Sequence, residues 1–78
     1  MDYKFRPMNK LQNFIYTGTK QAGTLDPEDA LMFVEESMTV SEYKKAEAFL
    51  KWAIANNRTF GYNLPDVWDE YTASKKGK

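Results

Sequence analysis

Residues 58–64 read R-T-F-G-Y-N-L and set Arg58, Phe60 and Tyr62 close together. A guanidinium beside two rings can stack on bases or anchor a protein partner, because binding energy concentrates on aromatic and arginine clusters. Trp52 is a second candidate. At helical spacing its neighbours are Lys45, Ala48 and Ala55, so the indole would stand over a shallow apolar patch unless the N-terminal arm, with Tyr3 and Phe5, covers it. Covalent and metal chemistry have less to draw on. The 78 residues include no histidine and no cysteine, which removes the commonest general base, the commonest metal ligand and the best nucleophile. D-P-E-D lacks the spacing and central glycine of a calcium loop. G-T-K-Q-A-G inverts the order of a phosphate loop and follows no buried strand. No catalytic residue, metal ligand or cofactor is therefore expected, and an enzyme is not.

The heptapeptide resembles the ribonucleoprotein consensus of the RNA-recognition motif at Arg58, Phe60, Gly61 and Tyr62, and departs from it at Thr59 and Asn63. That resemblance implies a four-stranded sheet with the rings on its open face. The flanking sequence opposes it. Helices are signalled in succession between residues 27 and 56, and Pro65 follows at once, where it could not donate to a central ladder. An aromatic turn between two helices fits better, with Asn57 and Gly61 as residues tolerant of positive φ. Phe60 and Tyr62 then plug one end of a bundle or, with Arg58, face a partner.

The elements that would position these side chains are helices. T-L-D-P-E-D is a start signal: Asp26 caps, Pro27 takes the first helical position, and Glu28 and Asp29 complement the positive end of the dipole. Ala30, Leu31, Phe33, Val34 and Met38 follow on one face of a helix of about ten residues. Thr39 and Glu42 have the spacing of a capping box, with Met38 and Tyr43 placed as a hydrophobic staple. The helix they open should run to about Asn56, with Tyr43, Ala46, Phe49, Leu50, Ala53 and Ile54 on one face and Glu47 and Lys51 as an i,i+4 pair. N-L-P-D starts another helix, capped by Asn63 and carrying Leu64, Val67, Trp68 and Tyr71. Towards the N-terminus, Met8, Leu11, Phe14, Ile15 and Gly18 share a helical face, and the glycine would let another helix approach closely. T-G-T is a poor helix interior and F-I-Y-T also suits a short strand, so both forms stay open there, with Q-A-G-T as the loop that follows.

Net charge is zero but segregated. Residues 1–23 carry Lys4, Arg6, Lys10 and Lys20 against Asp2. Residues 24–42 carry Asp26, Glu28, Asp29, Glu35, Glu36 and Glu42 with no basic residue, and residues 43–62 return Lys44, Lys45, Lys51 and Arg58 against Glu47. Either the two kinds of segment pair inside the fold, or the acidic residues (Glu35 and Glu36 among them) form a binding surface. No apolar run approaches a bilayer span and the first residues lack a signal-peptide core, so a cytoplasmic protein with no membrane partner is expected.

These signals predict one all-α domain over residues 1–78: a small bundle of three or four short helices, with flexible ends at 1–7 and 73–78. Its expected core is Phe33, Val34, Phe49, Leu50, Ala53, Ile54, Val67 and Trp68. The expected function is a non-catalytic protein-interaction module, an accessory or inhibitory protein that binds a larger protein target through Trp52, Arg58, Phe60, Tyr62, Glu35 and Glu36. In style, a short, cysteine-free, aromatic-rich chain resembles the accessory proteins of bacteriophages, which implies the cytoplasm of a bacterial host. Two alternatives stand beside it. One is a small nucleic-acid-binding regulator of helix-turn-helix type, reading through V-S-E-Y-K-K; Glu42 near the bases and the acidic preceding helix argue against that docking. The other is a homo-oligomeric subunit with Trp52 or the Phe60–Tyr62 turn at its interface.

Overall fold

The computed structural model describes residues 7–34 and 38–76. Within them the chain forms four helices and no strand: α1 over Lys10–Ala22, α2 over Pro27–Met32, α3 over Val40–Ala55 and α4 over Leu64–Lys76. The fold is a small all-α bundle.

The N-terminal segment is helical, and Asn9 is the reason. Its side chain accepts from the Gln12 N–H at 2.8 Å, and its own N–H donates to the Gln12 side chain at 3.2 Å, a reciprocal capping box. The unpromising T-G-T interior is accommodated in two ways. The Thr19 hydroxyl is buried and donates to the Ile15 carbonyl at 2.9 Å. Gly18 lies against α2, where a Cβ would fall on the carbonyl oxygen of Ala30. The expected loop Q-A-G-T is shorter than the sequence suggests. Gln21 and Ala22 stay in α1, and Gly23 ends it in the left-handed region at φ 73°.

Asp26 caps α2 as expected, accepting from the Glu28 N–H at 3.0 Å, with Pro27 at the first position. The helix has six residues rather than about ten. Its buried stripe is Pro27, Ala30, Leu31 and Val34, at positions i, i+3, i+4 and i+7. Phe33 falls outside that arc, and this expected core residue is 52% exposed.

Thr39 and Glu42 form the predicted capping box at the start of α3. Its buried arc is Ala46, Phe49, Leu50 and Ala53. The arc is centred on Ala46 and Ala53 rather than on Leu50, so Ile54 sits at its edge and is 47% exposed instead of in the core. The helix ends in a Schellman motif. Asn57 adopts φ 55°, the Arg58 N–H donates to the Ala53 carbonyl at 2.8 Å, and the Asn57 N–H donates to that of Ile54 at 3.2 Å. Gly61 has no positive φ, contrary to expectation. Nor does the Asn63 side chain cap α4. It accepts from the Gly61 N–H at 2.8 Å and closes the turn, while the Asn63 carbonyl accepts from the Val67 N–H.

All four helices contribute to the core, through Ile15, Leu31, Leu50 and Leu64 among others. Each such side chain contributes roughly 1.5–3 kcal/mol when fully buried. Phe49 is the centre of an aromatic cluster. Its ring stacks on Trp68 at 4.7 Å and meets Tyr71 edge-on at 5.3 Å, Phe60 at 5.5 Å and Trp52 at 6.0 Å. Trp68, expected in the core, is half-buried on its rim.

Candidate interaction surfaces

The turn at 57–63 sends its three expected contact residues in different directions. Phe60 is half-buried and packs on Phe49, so it plugs the bundle end. Arg58 reaches α4, where its Nε lies 2.9 Å from a Glu70 carboxylate oxygen with both side chains half exposed. Tyr62 is exposed and packs on α1 instead, with its ring 5.5 Å from that of Tyr16. Trp52 is half-buried between Phe49 and Tyr71, the latter 5.4 Å away and edge-on. Tyr3 and Phe5, expected to cover it, lie outside the described residues, as do Glu35 and Glu36. The four described candidates therefore do not converge on one site. Three of them have roles within the fold: Trp52 and Phe60 as core walls, Arg58 as a tie between the turn and α4.

Tyr16, Tyr62 and Lys20 do come together. A hydrogen bond from Tyr62 holds the Tyr16 phenol below its ordinary range; partial burial opposes this, and Lys20 adds to it. The Lys20 Nζ lies 3.5 Å from the phenol oxygen and 5.5 Å from the ring centre. The cluster borders a groove of about 370 Å³ that continues over Leu25 and Phe60.

Two surfaces went unread in the sequence. The first flanks the connection between α2 and α3. Met32 is 58% exposed, Phe33 52% and Val40 74%. Beside Val40, a shallow groove of about 350 Å³ is lined by Met38, Tyr43 and the stems of Lys44 and Glu47. Upstream, Asp26, Glu28 and Asp29 are exposed on α2. Among the described residues no ion pair joins this acidic segment to the basic ones; the salt bridges are Lys51–Glu47 at 3.7 Å and Arg58–Glu70. The signal for this surface was present: Phe33 stands off the i, i+3, i+4, i+7 stripe, and Val40 is the first residue after a cap.

The second surface is a groove of about 330 Å³ between α3 and α4. It is floored by Trp68 and Tyr71 and rimmed by Lys44, Lys45 and Lys75. Its spacing was legible too, since Trp68, Tyr71 and Lys75 recur at i, i+3 and i+7 on one helical face.

Among the described residues no group of three or more acidic side chains is gathered as a metal cluster would require, and no buried side-chain nitrogen or oxygen lacks a partner. No helix among them is long and apolar enough to cross a membrane. Comparison with protein-family models, with curated protein sequences and with solved structures returned no match.

Proposed function

We propose that this chain is a non-catalytic protein-interaction module, a small accessory or inhibitory protein that binds a larger protein. The observation that carries this reading is the exposure of Met32, Phe33 and Val40 within residues 32–40. Single exposed apolar residues are ordinary on any surface, whereas apolar patches contiguous in space mark contact surfaces, and Met32 and Phe33 are neighbours in the chain. Phe and Met are suited to the role: one is a rigid anchor, the other adapts to an irregular pocket. Exposed Asp26, Glu28 and Asp29 beside the apolar group favour a target with a basic rim.

The test is affinity capture from lysate of the source organism, with tagged wild type beside a Phe33→Ser, Val40→Ser double variant of matched helicity and melting temperature. One stoichiometric protein retained by wild type and lost by the variant is the expected result. Identical capture by both, or capture of nucleic acid alone, would overturn the reading.

A further inference from the structure

We propose that the groove between α3 and α4 binds an acidic peptide segment of a partner protein that carries an aromatic or large aliphatic anchor. Three ammonium groups, Lys44, Lys45 and Lys75, stand around one concavity, and among the described residues no carboxylate lines it. Like charges around one concavity raise the local potential and favour an anion within it. The floor is apolar. Trp68 and Tyr71 contact each other edge-on at 5.5 Å, and Ala48, lacking bulk, keeps the groove open on the α3 side. A volume of about 330 Å³ admits one large side chain and the backbone beside it. The occupant therefore needs negative charge at its edges and one apolar group at its centre.

Nucleic acid fits this geometry less well. Stacking on single strands needs ring faces open to successive bases. Tyr71 is only 8% exposed, and Lys75 lies over its ring at 5.1 Å from the centre. Trp68 stacks on Phe49. The chain's zero net charge and acidic α2 also offer a long polyanion little attraction outside the groove. This inference goes beyond the proposed surface at Met32, Phe33 and Val40. The groove shares only Lys44 with the cleft beside Val40, so variants at Lys45 and Lys75 probe it alone.

The experiment is fluorescence anisotropy with a labelled oligoglutamate peptide bearing one central phenylalanine, at low salt. Saturable binding is expected, weakened at least about tenfold by Lys45→Glu with Lys75→Glu, and to a similar degree when the peptide's phenylalanine is replaced by alanine. Lys10→Glu with Lys20→Glu makes the same charge change on α1 and is expected to alter affinity less than about twofold. All four lysines are exposed, so both double variants should keep the wild-type melting temperature. The proposal is overturned by absence of saturable binding, by equal losses in the two double variants, or by tighter binding of a single-stranded oligonucleotide of matched charge. Sedimentation showing a dimer that the Lys45, Lys75 variant dissolves would also overturn it, since the occupant would then be a second copy of the chain.

Discussion

Gly18 of α1 packs directly on the backbone of Ala30 of α2, so closely that a Cβ at position 18 would clash with the Ala30 carbonyl oxygen. The neighbour is backbone and cannot swing aside. In an open helix Gly→Ala gains about 1 kcal/mol of helix propensity. Here overpacking should outweigh that gain, and Gly18→Ala should destabilise the fold by about 1–3 kcal/mol in urea unfolding. A stabilised variant would contradict the close approach.

Asn57 supplies the left-handed residue of the Schellman motif that ends α3. Glycine takes that conformation without the Cβ strain. Asn57→Gly should therefore stabilise the domain, by up to about 1 kcal/mol given asparagine's own tolerance of the region. Gly61 has open space around it and no positive φ, so Gly61→Ala should be neutral or mildly stabilising. Paired thermal melts check both signs.

Trp52 and Phe60 pack on Phe49 and act on stability first. Fully buried Phe or Trp to Ala costs about 3–5 kcal/mol; these half-buried rings should cost about 2 kcal/mol each. Phe33→Ser, by contrast, should change stability by less than about 0.5 kcal/mol, because the ring is already largely in water. A loss of partner binding in Trp52→Ala would thus say little about an interface unless folding were measured beside it. Denaturant midpoints for the three variants decide the ranking.

The local signals were legible where one residue type does one job. Asp26, the Thr39–Glu42 box, the Asn56–Asn57 stop and the Glu47–Lys51 pair all stand where their spacing put them. The close approach at Gly18 was legible for the same reason. What could not be read was the direction of each buried arc, which depends on the neighbouring helices. Ile54 is apolar and stands at the edge of the buried arc, yet α3 turns it outward, whereas Phe33 stands off the buried stripe that α2 begins. The placement of the candidate contact residues depends on the same packing. Arg58, Phe60 and Tyr62 are close in sequence, but the turn divides them among α4, the core and α1.

The Tyr16–Tyr62 contact carries a pH prediction. Tyr62 and Lys20 favour the Tyr16 phenolate, so its ionisation should begin below the ordinary tyrosine value of about 10. Tyr62→Phe should return it towards that value in a spectrophotometric titration. Because the folded phenol ionises more readily than the unfolded one, its contribution to stability is present at alkaline pH, above the unfolded value. It fades as pH falls through the lowered folded value. At neutral pH Tyr62→Phe should therefore leave proton-linked stability untouched. An unchanged alkaline titration would remove the hydrogen bond from the account.

The most direct test of the interaction module is site-specific photo-crosslinking in lysate of the source organism. A photoreactive phenylalanine analogue is placed at position 33, and in a matched sample at position 54, an exposed apolar site on α3 distant in sequence from residues 32–40. The account predicts that position 33 yields one discrete adduct with a larger protein and that position 54 yields none. The same pattern of adducts from both positions, or from position 33 only a dimer of the chain itself, would contradict it.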